Sequence, residues 1–556
     1  VNRLAGGTSW AAVTLADAIA TAPTDQNFTT FNGKLYHAYD STVDRLHVWD
    51  GTAHRRVGLA TPAAPTVANT GAGTYAAVVR YYRIRYIDLS GSTVVRRSEP
   101  SGSTSFTPSG TGTAARVTKP AALSESETHW EIEASTDNTN FYRLSQTVVG
   151  TTTYDDSAAT TTYSTNTASD ISGTYTNFPS ARYLLALDNR ILGAGAWESG
   201  SQNNRVWHTP ILGTGTADSE RYSNTTDLKN WTDVGENDGG GVSGLGGPID
   251  GTAFAFKYRQ LWKLVPTGIA AAPFRAVNLT RVVGTIHHKT ICLGQDEEAN
   301  PAMYWLDVIG PYRYGINGIE YLGRDVEDIW DTITLGATVI VAHGLYHPVL
   351  RQVWWWLSTG TNEPDVKIIY DVASGSTIIE TGRARGGKQG GWARHGSSSD
   401  SGAARCSVMF SNTVAASMSR DLKPYIGQSG AVNTVWKLDT GTTDAGTTYQ
   451  AYIKTRPYAP QGIQKKIRLE APILLAEASS GVTIRLTVDR DFGAQTVTSD
   501  VTLTALGSET IINKKFEDIQ LGDGTFFQFQ LGDSAAVDSS WTLLGLVVPY
   551  YEEQDV

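Results

Sequence analysis

Residues 281–330 read RVVGTIHHKTICLGQDEEANPAMYWLDVIGPYRYGINGIEYLGRDVEDIW. This stretch predicts four short strands, at Thr290–Leu293, Met303–Val308, Tyr312–Tyr314 and Ile319–Leu322. The breaks between them are acidic or rich in Gly, Pro and Asn, and aromatic residues occupy the strand centres. Four short strands joined by tight turns are typical of one blade of a β-propeller. Because one blade cannot bury both of its faces alone, the stretch predicts further blades before and after it.

Related hairpins recur along the chain, each pairing an inner strand with a partner strand that carries Trp or Tyr. They lie at residues 31–51, 187–208, 251–264, 341–371 and 407–439. Together with the opening stretch they predict a propeller of about six blades, within the usual four to eight. A series of unrelated all-β sandwiches is the alternative, since Trp-bearing hairpins occur in both. One hairpin contains Trp354–Trp355–Trp356, and strand alternation sends Trp355 to the face opposite its neighbours.

Composition favours an all-β chain of two to four domains. The 556 residues include 56 glycines, 40% hydrophobic and 18% charged residues, with no apolar run long enough for a membrane helix. Two cysteines, Cys292 and Cys406, are too few for a disulfide framework and are predicted to be core thiols in a reducing compartment. The net charge of −10 argues against a protein that grips nucleic acid through its phosphates.

Shifts in composition divide the chain into four segments. Residues 1–60 form an N-terminal arm and the first propeller strands, with 10–20 as either a helix or an extended arm. Residues 61–175 form an inserted sandwich with its linker, indicated by the alternating runs Tyr82–Tyr86 and Trp130–Ala134. Its resemblance to a fibronectin type III module is weak. Residues 176–447 form the propeller, and 448–556 form a C-terminal β-sandwich in which Ile484, Leu486 and Val488 face the core.

Motifs for metal or phosphate chemistry are weak. His287–His288 and His343 with His347 have the residue type of a zinc site, but the strand pattern and Pro348 argue against a helix that would converge them, so structural roles are favoured. The glycine-rich run 239–247 lacks the Lys-Ser/Thr of a phosphate loop. We expect no cofactor and no metal.

Carboxylates raise the possibility of glycoside hydrolysis, because propellers host many glycosidases. The candidate acids are Asp188, Glu198, Asp307 and Glu320, and the run 225–232 is similar to turns of sugar-cleaving propellers. No repeated motif of that kind is present, so we expect that the protein is not an enzyme.

One acidic segment lies in the first turn of the opening stretch and a second follows its last strand, and the usual role of such segments is that of solvated loops. If identical chains assemble around an axis, each segment repeats and lines a lumen whose negative wall repels passing DNA. The predicted channel-lining residues are Asp296, Glu297, Glu298, Asp325, Glu327 and Asp328.

The chain also resembles a known family over roughly residues 180–550. The matching patterns are Asn189–Ile191, Trp231, Phe254–Phe256, Trp262–Leu264, Gly284–Thr290 and Tyr312–Gly318, followed by Lys465–Leu469, Asp489–Gly493 and Phe527–Leu531. In order and spacing they resemble the tail nozzle proteins of short-tailed bacteriophages, also called tail tube B or packaged-DNA stabilisation proteins. The inserted segment 61–175 departs from a minimal nozzle.

This resemblance implies a non-enzymatic virion protein, assembled in the bacterial host cytoplasm. It implies a homo-oligomer, expected to be a hexamer, that retains packaged double-stranded DNA and conducts it during ejection without binding it specifically. The implied partners are the tail adaptor above, tail fibre or needle proteins, and the host envelope. Two alternatives stay open: a propeller glycosidase or depolymerase, and an adhesin that binds host surface polysaccharide.

Overall fold

The structure is a computed structural model in which strands predominate. It describes residues 2–5, 9–12, 16–17, 19, 25–39, 43–70, 78–108, 114–196, 202–211, 220–222, 230–236, 238, 240–334, 336, 341–360, 363–372, 391–396, 404–410, 422–428, 435–438, 450–455, 457–460, 462, 465–478, 481–504, 511–519, 522–535 and 541–552. The helical elements in these ranges include α1 (Glu327–Trp330) and short 3-10 turns at Thr160–Thr165, His288–Thr290 and Gly323–Asp325. The all-β prediction is confirmed.

No helix among the described residues is long and apolar enough to cross a membrane. The chain forms two compact units. The first comprises Val1–Ser398 and Gly402–Ser429, and the second Ser399–Ser401 and Gly430–Val556. The predicted boundary near residue 447 falls in 439–449, outside the described residues.

The strands of the first unit are short and follow one another closely. In chain order they are β1 (Asn2–Ala5), β2 (Ser9–Ala12), β3 (Gln26–Phe31), β4 (Lys34–Tyr39), β5 (His47–Trp49), β6 (His54–Arg56), β7 (Thr66–Thr70), β8 (Arg80–Ser90), β9 (Thr93–Arg97), β10 (Thr104–Phe106), β11 (Ala114–Thr118), β12 (His129–Ser135), β13 (Tyr142–Val148), β14 (Thr153–Asp156), β15 (Thr176–Asn177), β16 (Ala181–Leu187), β17 (Arg190–Ala196), β18 (Arg205–His208), β19 (Arg221–Tyr222), β20 (Trp231–Asp233), β21 (Val242–Ile249), β22 (Thr252–Lys257), β23 (Gln260–Pro266), β24 (Phe274–Thr280), β25 (Cys292–Gln295), β26 (Pro301–Leu306), β27 (Pro311–Gly315), β28 (Gly318–Tyr321), β29 (His343–His347), β30 (Gln352–Leu357), β31 (Val366–Asp371), β32 (Gly391–Gly396), β33 (Ala404–Phe410) and β34 (Lys423–Gln428).

Five four-stranded antiparallel sheets in the described part of this unit contain strands that follow one another in sequence, except that sheet II leaves out β19. They are sheet I (β3–β4–β5–β6), sheet II (β16–β17–β18–β20), sheet III (β21–β22–β23–β24), sheet IV (β25–β26–β27–β28) and sheet V (β29–β30–β31–β32). Sheet IV lies within residues 281–330, and the four strands predicted there are confirmed to within about two residues. The predicted hairpins at 31–51, 187–208, 251–264 and 341–371 fall on sheets I, II, III and V.

Successive sheets pack on one another through their faces. Four hydrophobic clusters each join two consecutive sheets, I with II, II with III, III with IV and IV with V. The first strands also lie in series: β16 contacts β3 and β21, β25 contacts β21 and β29, and β29 contacts β33. Because the inner sheets are covered on both faces, the sequences of their central strands, such as AMYWL in β26, are continuously hydrophobic instead of alternating.

A glycine on the first strand of sheet IV permits this close packing. A Cβ atom on Gly294 would lie 2.4 Å from the ring of Tyr346 in sheet V. The tryptophan run on β30 is buried on both faces as well. Trp355 belongs to the cluster between sheets IV and V, while Trp354 and Trp356 lie beneath the Lys367 ammonium group on the other side. The run is therefore core on both faces and not a surface patch.

Strands β7 to β14, which lie within the predicted insertion at 61–175, form two sheets over one core and are called the inserted module below. The sheets are β10–β8–β12–β13, with β9 attached to β8, and β14–β11–β7. The predicted alternation is confirmed, because Ile84 pairs with Ile132 and Tyr86 with Trp130 on the buried face.

The opposite face of this module carries a charged ladder. Arg83 and Arg85 both donate to Glu133, and both also donate to the carbonyl oxygen of Asp170 in the returning linker. The linker lies alongside β13, since the Ser169 amide donates to the Phe141 carbonyl at 2.8 Å. The linker therefore covers the ladder, and the charges on that face are largely paired within the module.

The second unit contains β35 (Val435–Lys437), β36 (Tyr452–Lys454), β37 (Ile467–Leu469), β38 (Ile473–Ala478), β39 (Val482–Arg490), β40 (Gln495–Leu503), β41 (Ile511–Lys515), β42 (Phe527–Asp533), β43 (Trp541–Val547) and β44 (Tyr550–Glu552). Its sheets include β36–β42–β39–β40, β41–β38–β43 and β37–β44. Ile484, Leu486 and Val488 face its core as predicted.

The structure decides one open alternative and corrects one prediction. Residues 9–12 form strand β2, paired with β1, so the start of the segment 10–20 is extended and not helical. An Ala-rich run has helix propensity, but pairing with a neighbouring strand satisfies the same backbone groups. Cys292 is buried as predicted, whereas Cys406 is exposed, because its strand β33 is exposed at most positions.

Candidate functional site

The six predicted channel-lining residues lie at opposite ends of sheet IV. In an antiparallel meander, the first and third turns lie at one end and the second turn lies at the other. Residues 296–298 occupy the first turn, whereas residues 325–328 follow the last strand and lie near the second turn. The indole N–H of Trp330 fixes this position by donating to the Val308 carbonyl at 3.0 Å. The strands between them are about five residues long, so roughly 17 Å separates the two groups.

Asp296 is directed into its own turn and is only 5% exposed. The amide N–H groups of Glu298 and Asn300 donate to its Oδ1 at 2.9 and 2.8 Å, and the Asn300 side-chain amide donates to its Oδ2 at 3.1 Å. Burial alone would raise the pKa of Asp296, but these hydrogen bonds outweigh burial and lower it. This carboxylate stabilises the turn, and little of its charge reaches solvent.

Glu297 is also engaged within sheet IV. The buried Arg313 guanidinium donates to Glu297 Oε2 at 2.7 Å and also to Glu320. Burial opposes the charge of Arg313, yet the hydrogen bonds to Glu320 and Glu297 raise its pKa on balance. One cation thus partly neutralises two carboxylates.

The other four predicted residues are exposed. Glu298 lies in the first turn, Asp325 in a 3-10 turn, and Glu327 and Asp328 in the first turn of α1. Sequence reasoning gave all six acids equal weight, because composition does not distinguish a carboxylate that caps a turn from one that faces water.

The candidate hydrolytic acids do not form a catalytic pair among the described residues. Asp188 is exposed in the β16–β17 turn with φ 50°. Asp307 is buried and accepts from the Gly284 amide at 2.8 Å, and burial raises its pKa. Glu320 pairs with Arg313. Glu198 and residues 225–229 lie outside the described residues.

The histidines considered as metal ligands make structural contacts instead. The Leu245 amide donates to His288 Nδ1 at 3.2 Å, and the His343 ring stacks on Trp356 at 4.8 Å. Burial lowers the pKa of His288 and of His343 to about 3, and that of His287 to about 4. Within the described ranges, no group of three or more His, Cys, Asp or Glu side chains is arranged to hold a metal ion.

Residues 284–291 connect the first strands of the sheets, a role that the sequence did not reveal. The Lys289 ammonium group lies 2.7 Å from Asp25 Oδ1, next to sheet I. His288 packs against Tyr183 of sheet II and accepts from Leu245 of sheet III. Thr290 accepts from the indole of Trp355 in sheet V at 2.9 Å. This segment therefore occupies space that the first strands border.

A second missed feature is an ionic junction around Glu220. Arg55 makes two hydrogen bonds to this buried carboxylate at 2.7 and 2.8 Å, and the Gly58 amide donates to it at 3.2 Å. Burial would raise the pKa of Glu220, but Arg55 lowers it on balance. Nearby, Arg96 donates to the carbonyls of residues 56, 58 and 125. The junction fixes the start of the inserted module to sheet I.

Comparisons with known proteins identify no family. No protein-family model matches the chain, and no curated protein matches it. A glycoside hydrolase family 43 arabinoxylan arabinofuranohydrolase from Bacillus subtilis aligns at 11% identity over 96% of both chains, with a TM-score of 0.16. A GH32 beta-fructofuranosidase from Bombyx mori aligns at 10% identity over 95% of this chain and 90% of its own, with a TM-score of 0.14.

The extracellular domain of a one component system from B. thetaiotaomicron aligns at 10% identity over 77% of this chain and 52% of its own, with a TM-score of 0.19. TM-scores this low carry no argument about fold or activity.

Proposed function

We propose that the chain is a structural subunit of a short phage tail, the nozzle that retains packaged DNA and conducts it into the host. The positions and partners of the candidate catalytic acids favour this proposal over a hydrolase. Those that the structure describes are turn residues or ion-pair partners, as set out above for Asp188, Asp307 and Glu320. The resemblance of segments 189–318 and 465–531 to nozzle proteins supports the same conclusion.

For the architecture we propose a β-propeller of about six blades. Sheets I to V, packed face to face in chain order, are the first five blades, and the β33–β34 hairpin begins the sixth. The inserted module is proposed as the fibronectin type III-like sandwich, and residues 448–556 as the C-terminal β-sandwich.

The proposed DNA passage lies between copies of the chain and not inside one copy. Residues 284–291 occupy the space bordered by the first strands, as the contacts of His288 with Tyr183 on β16 and Leu245 on β21 indicate. Double-stranded DNA is ~20 Å wide, far wider than the spaces between packed strands. A homo-oligomer, expected to be a hexamer, would enclose such a passage around its axis.

The negative charge of the chain supports a passage that conducts DNA without binding it. The net charge is −10, and Glu298, Asp325, Glu327 and Asp328 present carboxylates at both ends of sheet IV. Such a wall would repel phosphates as the DNA passes. The proposed partners are the tail adaptor above, tail fibre or needle proteins and the host envelope, and the proposed location is the virion.

The mass of the purified assembly tests this proposal. A closed ring of roughly six chains of 59.9 kDa each is expected by native mass spectrometry. A stable monomer that also releases reducing ends from capsular polysaccharide would overturn the nozzle proposal in favour of the glycosidase.

The adhesin remains the second candidate because the inserted module contains a cleft of about 350 Å³. Its lining combines amide and aromatic groups, including Asn138 and Tyr142, a set suited to a saccharide. Capsular polysaccharide binding by the full chain tests it. Asn138→Gly preserves the φ of 60° and removes the amide. Loss of polysaccharide binding in this variant would support the adhesin.

A further inference from the structure

We propose that the second unit carries both halves of a contact between neighbouring copies of the chain. Phe492, at the tip of the β39–β40 hairpin of one copy, packs into a shallow apolar hollow over Gly545 on strand β43 of the next copy. This inference rests on the proposed function and extends it, because it names residues through which the proposed homo-oligomer assembles.

Phe492 occupies an unfavourable backbone conformation at the hairpin tip. Asp491, Phe492 and Gly493 are all left-handed, with φ of 46°, 60° and 89°. Asp and Gly tolerate this region, whereas a bulky side chain in it destabilises the turn. The Phe492 side chain is nevertheless 75% exposed, so burial within its own copy offsets little of this strain. A contact outside the copy accounts for an exposed aromatic residue at a strained position.

The neighbouring loop holds the tip in place. The Thr525 and Phe526 amides both donate to Asp491 Oδ1 at 2.9 Å, and the Asp491 amide donates to the Phe526 carbonyl at 2.8 Å. The Phe526 ring packs against the Phe492 ring, with their centroids 4.9 Å apart. An aromatic side chain that is already ordered loses little conformational entropy when a partner covers it, so the tip is suited to anchor an interface.

The two outer faces of the second unit differ in polarity. On the sheet β36–β42–β39–β40, outward side chains bond one another across strands, in the pairs Arg485–Asp500, Thr483–Thr502 and Thr487–Thr498. That face is satisfied in water. On the sheet β41–β38–β43, most outward side chains are apolar, namely Ile473, Leu475, Ile511, Leu544 and Val547, and the last three are about half exposed. The second face therefore gains more from being covered.

Gly545 makes a hollow in this apolar face. The strand register places Gly545 beside Leu475, and Leu544 lies at the adjoining β-bulge. A Cβ atom on Gly545 would meet nothing within 4 Å, so the space above the strand is open. Leu475, Leu544 and Val547 thus border a position that has no side chain, and an aromatic ring placed there contacts apolar groups around it.

Charged groups beside the tip and the hollow are complementary. The exposed Asp523 lies in the loop that supports the tip, and Asp491 Oδ2 is 3.8 Å from Arg490 Nε, which balances only one of the two carboxylates. On the apolar face, the exposed Lys515 lies in the same outward row as Val547. An acidic tip therefore meets a hollow with a basic border, which favours a second copy of this chain as the occupant.

The tip and the hollow lie on different surfaces of the unit. The tip extends one sheet of the sandwich, whereas the hollow is on the outer face of the other sheet, across the hydrophobic core. Each copy can therefore present its tip to one neighbour and its hollow to another. Such a head-to-tail contact generates a ring when the rotation between copies closes.

Disulfide formation between two differently tagged full-length chains tests the contact directly. Both chains carry Cys406→Ser, because Cys406 is exposed. One chain carries Ala494→Cys beside the intact tip, and the other carries Thr542→Cys on the apolar face. Mild oxidation is expected to join this pair at least about tenfold more than the control pair Ala494→Cys and Thr498→Cys, since Thr498 lies on the polar face. Equal yields from the two pairs would overturn the proposal.

Self-association of the full chain, measured by sedimentation, provides the second test. Phe492→Asn keeps a residue that tolerates the left-handed region, so the fold is retained while the apparent dissociation constant rises about 30-fold, as for an interface anchor. Gly545→Leu fills the hollow and is expected to have the same effect. Ile316→Asn removes an equally exposed apolar side chain, 73% exposed in the β27–β28 turn, and is expected to leave self-association unchanged.

The outcomes separate this contact from the proposed conduit. A ring that assembles equally well with Phe492→Asn would overturn the contact and leave the nozzle proposal intact. A specific cross-link in an assembly without a closed, defined mass would support the contact and overturn the ring. Binding to phosphatidylcholine vesicles that Phe492→Asn abolishes, with self-association unchanged, would also overturn the contact, because the tip would then insert into membranes.

Discussion

Replacement of Trp355 by Ala tests the packing between sheets IV and V. The indole is fully buried, and its N–H donates to the Thr290 carbonyl at 2.9 Å, across the interface between the two sheets. Removal of a buried Trp costs ~3–5 kcal/mol, and a carbonyl left without its donor adds ~1–3 kcal/mol. We therefore expect Trp355→Ala to lower the free energy of unfolding of the first unit by about 4–8 kcal/mol.

The corresponding change in melting temperature follows from the size of the unit. At ~2.1 cal/mol/K per residue, roughly 430 residues give an unfolding entropy of about 0.9 kcal/mol/K. The loss then corresponds to a fall in Tm of about 4–9 °C, measured by differential scanning calorimetry. Trp355→Phe keeps most of the ring volume and removes the N–H, so its Tm should fall by about a third as much.

Trp354→Ala is the matched comparison on the opposite face. Its indole bonds Gln352 of its own strand, and its ring lies 4.5 Å from the Lys367 ammonium group. We expect a fall of about 3–5 °C, smaller than for Trp355→Ala because no hydrogen bond between sheets is lost. Shifts below about 1 °C in both variants would refute the packing described here.

Three further predictions concern packing, acid and charge. Gly294→Ala should destabilise the unit by ~1–3 kcal/mol, because its Cβ would lie 2.4 Å from the ring of Tyr346. Gly315→Ala is the control and should not destabilise it, because its Cβ would lie 4.0 Å from the nearest atom. Equal unfolding midpoints of the two variants in urea would contradict this prediction. Burial lowers the folded pKa values of His37, His208 and His343 to about 3 and that of His54 to about 4. Their contribution to stability is therefore complete above pH ~6.5 and decreases as the pH falls toward ~4. A Tm that stays constant from pH 7.5 to pH 5 would contradict this prediction. In assembled particles, conversion of the exposed acids Glu298, Asp325, Glu327 and Asp328 to Lys should slow DNA ejection, and added salt should relieve the delay. Normal ejection at low salt would remove these residues from the proposed channel wall.

The strand positions were predictable because side-chain alternation and turn residues act over a few neighbouring residues. The four strands of sheet IV were placed within about two residues, and the core faces of β8, β12 and β39 followed from period-two patterns.

The partners of the charged side chains were not predictable, because they come from distant parts of the chain. Glu220 meets Arg55 across 165 residues, and Lys289 meets Asp25 across 264. No local pattern in the sequence marks either residue as half of a pair.

The acidic turn of sheet IV shows most clearly which features the local sequence sets and which depend on the tertiary structure. The sequence by itself determined that Asp296, Glu297 and Glu298 lie in a turn between two strands. Only the tertiary structure decided that the first caps the turn, the second pairs with Arg313 and the third faces solvent. The physical reason is that a turn is set by local backbone preferences, whereas the exposure of each carboxylate depends on which donors the folded chain brings within hydrogen-bond distance.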